Sequence, residues 1–199
     1  MAKVIWRPGN MLYPLPAVLV TTKGSNGQRD VCTVAWTGTV CSNPAMVSVS
    51  LRPSRLSYTY LKETGVFGIN ITTKDLVFAT DYCGVRSGRD VDKFEVLHLM
   101  TEEAQKIDCP LLKASPVNLE CRVTQEIPLG THTMFLAEVL CVHADDAYCD
   151  ENGAFELSRA HPIVYSHGAY LETGKCLGTF GFSVRKKSRE KKMKRRNKT

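Results

Sequence analysis

Four short segments of this chain hold residues whose types and spacing could do chemistry. In Leu51-Arg52-Pro53-Ser54-Arg55-Leu56-Ser57-Tyr58, two arginines and two serines surround the expected first turn of a helix. A helix N-terminus presents free backbone N–H groups and a dipole that favours an anion. Two guanidiniums would add charge-assisted hydrogen bonds, so the segment suits a phosphate. A capped helix with solvated arginines explains the same residues without a ligand. The second segment, Asp81 to Phe94, places Gly84, Ser87, Gly88 and the cations Arg86, Arg89 and Lys93 in one loop leading into a helix. Such a loop can fold around a phosphate or a ring edge, or be a polar surface turn. The third is Gly130-Thr131-His132 at a strand mouth, where an imidazole can donate to a bound ring or protonate it. The fourth is Trp36, a flat apolar wall or a core residue.

Elements that could carry these residues follow from pattern. Ala17 to Thr22, Val31 to Val40, Met46 to Leu51, Val66 to Ile71, Leu119 to Thr124 and Thr133 to Val142 read as strands, rich in β-branched residues and bounded by turn residues. Val47, Val49 and Leu51 point to one face, and Leu119, Cys121 and Val123 point inward. Ser54 to Glu63, Thr73 to Tyr82 and Asp90 to Phe94 read as helices, the first stopped by Gly65. Many short strands with a few helices between them predict a mainly β fold, a closed antiparallel barrel with peripheral helices. There is no internal repeat.

Composition narrows the class. Of 199 residues, 43% are hydrophobic and 23% charged, the balance of a globular domain. The N-terminal apolar run is short and is interrupted by Arg7-Pro8, so it does not read as a signal peptide. No apolar stretch approaches the ~20 residues of a membrane span, and the expected compartment is the cytoplasm. Eight cysteines without a CxxC pair argue against a zinc ribbon, an iron–sulfur cluster or a dithiol, and suit a reducing compartment. Most of them read as buried thiols.

The net charge of +6 is a property of the end of the chain. Residues 185–199 hold ten Lys or Arg and one Glu, leaving residues 1–184 at −3. The expected organisation is therefore one domain over 1–184 and a basic, disordered tail over 185–199. A small barrel gripping nucleic acid is the competing class. The acidic body and the lack of aromatic–basic interleaving on the strands speak against it.

In order and spacing, these segments together resemble the flavin reductase-like family, flavoredoxins above all. The resemblance runs from about Trp6 to about Gly181 and rests on a set of motifs. These are Ala35-Trp36-Thr37-Gly38, Ser42-Asn43-Pro44, Ser50-Leu51-Arg52-Pro53 with Arg55 and Ser57, Cys83-Gly84 with Ser87-Gly88-Arg89-Asp90 and Asp92-Lys93-Phe94, Gly130-Thr131-His132 with Glu138-Val139, and Pro162-Ile163-Val164-Tyr165. The resemblance implies a homodimer of FMN-binding split barrels, with one FMN near the subunit interface in each half. By position, Asp30, Cys32, Thr33, Val34, Ala35 and Trp36 would line the ring edge. Arg52, Arg55 and Ser57 would hold the phosphate, with Ser50 and Leu51 also in the cofactor site. Ser87, Gly88 and Lys93 would add a loop and a cation. His132 and Tyr165 would close against the ring, with His132 as the catalytic group. Ala137 replaces the glycine that many such reductases have before Glu-Val, and the tail has no counterpart. No GxGxxG fingerprint follows a strand, so NAD(P)H and a protein partner both stand as electron donors.

Overall fold

The computed structural model describes residues 1–185. The expectation for the basic tail falls almost wholly outside them. Period-two runs form the main sheet: β2 (Val18–Lys23), β3 (Arg29–Val34), β4 (Thr37–Ser42), β5 (Ala45–Leu51), β6 (Val66–Ile71), β9 (Val117–Pro128) and β10 (Thr133–Ala144). Every ladder is antiparallel, and the strand order is β3-β2-β6-β9-β10-β5-β4. Two small sheets accompany it. One is built from β1 (Leu15–Pro16), β11 (Ile163–Ser166) and β12 (Ala169–Glu172), the other from β7 (Thr101–Glu103) and β8 (Pro110–Leu112).

The expected closed barrel and the expected single strand over 31–40 are both corrected. The run breaks at Ala35-Trp36: β3 pairs with β2 at one end of the sheet order, and β4 pairs with β5 at the other. Closure as a continuous barrel would need a ladder between the two terminal strands, and none is present among the described residues. Collinear halves of one bent run cannot lie side by side, so the chain itself joins the two ends of the sheet. The Ser50 N–H donates to the Trp36 carbonyl at 2.9 Å and ties that bend to β5.

The inner face of the sheet holds the main core. Val18, Val20, Cys32, Val49, Phe67, Cys121 and Phe135 are at most 3% exposed there. As the alternation predicts, Val47, Val49 and Leu51 are buried, while Leu119 and Val123 pack against the core beside Cys121. A smaller cluster of Leu19, Val31, Cys83, Phe94 and Leu112 binds the sheet to α2 (Val77–Val85) and α3 (Lys93–Val96). All three helices begin later than their sequence signals suggest. The first, α1, spans Leu56–Thr64 and ends on Gly65 with φ +68°, a conformation glycine adopts without steric cost. Lys74–Leu76 is a 3₁₀ turn leading into α2. Asp92 caps α3, its carboxylate accepting from the Phe94 and Glu95 N–H groups. Of the eight cysteines only Cys32, Cys83, Cys109 and Cys121 are buried, because Cys41, Cys141 and Cys149 lie on outward or edge positions and Cys176 is exposed.

Candidate functional site

The bend at Ala35-Trp36 opens a cleft. Thr33, Val34, Ala35 and Trp36 form one wall, Ser50, Leu51, Arg52 and Arg55 the floor, and His132 and Tyr165 the far side, around about 610 Å³. Strand register assembles it. Leu51 pairs with Thr133, so β5 delivers Arg52 beside His132 at the mouth of β10. The Trp36 and His132 ring planes lie 1° from parallel, with centroids 6.3 Å apart. Tyr165 stands opposite Leu15 and Tyr170, and packs edgewise on Tyr170.

The cationic end is open to an anion. Arg55 is the N-cap of α1 and makes no side-chain cap; in the first turn the Tyr58 N–H donates to the Arg55 carbonyl at 3.2 Å, which leaves the Leu56 and Ser57 N–H groups without a partner among the described residues. Its Nη2 donates to the Gly84 carbonyl at 2.5 Å, which aims the guanidinium along the cleft. Neither Arg52 nor Arg55 pairs with a carboxylate among the described residues. Partial burial, aided by the Arg52 charge, holds the His132 imidazole below the ordinary histidine value and therefore neutral at pH 7. Thr131 Oγ1 lies 2.9 Å from His132 Nδ1 and orients the ring.

Six residues assigned to the site from sequence do not line this cleft. Lys93 reads from sequence as a ligand-facing cation, but its Nζ is 2.8 Å from Asp30 Oδ1, with the two side chains 2% and 3% exposed. Asp30 Oδ2 accepts from the buried Ser57 Oγ at 2.5 Å. Gly88 packs against this pair: a Cβ there would fall 2.2 Å from Asp30 Oδ1. Ser87 shapes the same loop, its Oγ accepting from the Arg89 N–H. Cys32 belongs to the core, where burial, reinforced by the Asp30 charge, pushes its thiol up to about 11. Asp30, Gly88 and Lys93 instead border a second, separate hollow with Arg89 and Tyr60. Asp30 and Cys32 lie farther back along β3, and only the end of that strand, Thr33 and Val34, reaches the cleft.

Other cleft residues carry little sequence signal. Asn10, Ala17, Asp81, Val85, Gly168 and Tyr170 arrive from the N-terminal arm, α2 and the small sheet. Burial first, then the Asp81 charge, raises the Tyr170 pKa. Gly84 and Thr131 neighbour residues with a chemical signal in the sequence, and that adjacency is their only sequence cue.

A mainly β, bent-strand scaffold with an aromatic wall and an arginine pair at one cleft is a split-barrel-type fold. Residues 10–174 match the family model of the flavin reductase like domain. The chain belongs to that family. It is 33% identical over 139 residues to an uncharacterised protein of Archaeoglobus fulgidus, covering 70% of this chain and 77% of that one. It is 28% identical over 156 residues to the NADH-dependent FMN reductase AsuE2 of Streptomyces nodosus subsp. asukaensis, covering 77% and 76%. Its fold is similar to flavoredoxin of Desulfovibrio vulgaris (Miyazaki F), with a TM-score of 0.86 and 27% identity over 93% of this chain and all of that one. No described helix is long and apolar enough to cross a membrane.

Proposed function

We propose that this chain is a flavin-dependent oxidoreductase that holds FMN non-covalently in the Trp36–His132 cleft. The observation that carries this reading is the pair Arg52 and Arg55, without carboxylate partners among the described residues, at one end of a cleft with flat aromatic walls. That combination suits a planar ring joined to one terminal phosphate. A flavin of this kind supplies two-electron transfer between a hydride donor and an acceptor. Arg52, Arg55 and the α1 N–H groups would bind the phosphate. Trp36 and Tyr165 would exclude water from the ring, and His132 would hold a proton or hydrogen bond at its polar edge.

NAD(P)H as donor is supported by AsuE2, which is named for NADH. The buried thiols have no nucleophilic part in this scheme, since burial also pushes Cys83 to about 12. The homodimer is part of the proposal. Val4, Ile5, Trp6, Leu177, Phe180 and Phe182 expose large apolar side chains near the two ends of the described chain, the surface a second copy would cover.

Purified full-length protein should be yellow and release FMN on denaturation. NADH or NADPH should bleach the bound flavin anaerobically in stopped flow. Recovery of mainly FAD, or colourless protein that does not take up added FMN, would overturn the assignment. Stable flavin binding without bleaching by either nucleotide would instead mark a carrier or a protein-fed redox module.

A further inference from the structure

A second cluster of chemically active side chains stands on the outer face of the β9–β10 ladder, away from the cleft. Glu120 and Cys141 are direct cross-strand partners, and His143 lies opposite Asn118, the next position on the same face. A bulge between Val139 and Cys141 creates this alignment. Val139 pairs with Cys121 on the core side. One inserted residue then turns Cys141 and His143 to the Glu120 side, which unbroken alternation would not do.

The three residues offer one carboxylate oxygen, one thiol sulfur and one imidazole nitrogen, all within 4.8 Å of one another. Glu120 is fully buried, and its carboxylate accepts from the N–H groups of Gln105 at 2.8 Å, Lys106 at 2.6 Å and Ile107 at 3.1 Å. Those bonds fix its orientation in the way outer-shell donors fix metal ligands. His143 Nε2 lies 2.6 Å from Glu120 Oε1. His143 and Cys141 are only partly buried, so solvent reaches the open side of the cluster.

We propose that Glu120, Cys141 and His143 form a binding site for one borderline divalent transition ion, of which Zn²⁺ and Co²⁺ are the representatives. The donor set selects the class. Sulfur and imidazole ligands favour Zn²⁺ or Co²⁺ over Mg²⁺ and Ca²⁺, which take oxygen. Bonds of about 2.0–2.3 Å set tetrahedral ligand atoms about 3.3–3.8 Å apart, so the cluster needs adjustments of only about 1 Å. Three protein ligands leave a fourth position for water. The ion takes the place of the hydrogen shared by His143 and Glu120. The Cys141 thiol releases a proton to solvent, and an imidazole carrying hydrogen on Nε2 moves it to Nδ1 through solvent. The bound ion would brace β9, β10 and loop 105–107. Cys141 lies eight residues along β10 from Thr133, about 27 Å at strand rise, so the site is separate from the flavin cleft.

The test uses the full-length protein stripped with a chelator and titrated with Co²⁺, then Zn²⁺. One equivalent of Co²⁺ should bind and give a thiolate-to-cobalt charge-transfer band, with ligand-field bands to the red of any flavin absorption. Zn²⁺ should displace it. Cys141→Ala and His143→Ala should each weaken Zn²⁺ binding by at least about a hundredfold, beyond the 10–100-fold typical of outer-shell changes. Cys141→Ala should also abolish the charge-transfer band. Cys149→Ser and Cys176→Ser should leave both readouts unchanged. Thermal unfolding of each metal-free variant checks that it folds, and Cys141→Ser serves if Cys141→Ala does not. No thiolate band, a band that survives loss of the Cys141 thiol, or one lost with Cys149 or Cys176 would overturn the proposal.

Discussion

Arg55→Ala separates a phosphate ligand from a solvated helix residue. Arg55 sits at the N-cap of α1, with its guanidinium fixed by the 2.5 Å bond to Gly84 O. Truncation removes one charge-assisted contact to a partly buried phosphate, a loss of about 1.5–3 kcal/mol. At 1.36 kcal/mol per factor of ten, FMN affinity should fall by roughly ten- to a hundredfold. The same truncation breaks the Gly84 contact and loosens the junction of α1 with α2, which would weaken any ligand of the cleft. Riboflavin supplies the control, because it carries the ring without the phosphate. Fluorescence titration of apoprotein should therefore show a large loss for FMN and a small one for riboflavin. Arg55→Lys, which keeps the charge but not the planar fork, should fall between them. Raising the salt should shrink the FMN difference. Equal losses for FMN and riboflavin would show that Arg55 shapes the cleft without touching phosphate, and an unchanged FMN affinity would refute the assignment altogether.

Three further outcomes follow from the same geometry. Lys93→Met leaves Asp30 buried without its cation, and chemical denaturation should show a loss of about 3–5 kcal/mol; an unchanged midpoint would mean that the pair is solvated. Gly88→Ala drives a methyl into the Asp30 carboxylate and should cost about 1–3 kcal/mol in the same assay, with little further effect when Asp30 is already Ala. His132→Asn should lower the flavin midpoint potential by tens of millivolts, since about 1.4 kcal/mol of redox-state preference equals roughly 30 mV for a two-electron couple. The sign with pH follows from the lowered His132 pKa: the imidazole is neutral at pH 7 and gains a proton only on acidification or beside a reduced, anionic ring. The gap between wild type and variant should therefore widen as pH falls from 8 to 5.5. Coincident potentiometric curves would remove His132 from redox tuning.

Much of the scaffold is legible in local pattern. Alternation in Met46 to Leu51 gives β5 its buried face, Gly65 stops α1, and Arg52-Pro53-Ser54-Arg55 marks the strand-to-helix turn. These features are local because burial periodicity and backbone conformation are written within a few residues. The order of the motifs along the chain likewise carries the family. What tertiary structure decided is which of these residues meet. Nothing local to Val31–Val40 says that its two halves join opposite ends of the sheet, yet that bend opens the cleft. Lys93 reads as an available cation until Asp30, distant in sequence on β3, pairs with it and buries its charge. The bulge after Val139 is equally silent in sequence, because register is settled between strands by the competition of both faces for burial. The chain by itself determined its elements and its chemical inventory. Long-range pairing determined which side chains face a ligand and which neutralise one another, because charge and hydrogen-bond partners are satisfied in space and not along the sequence.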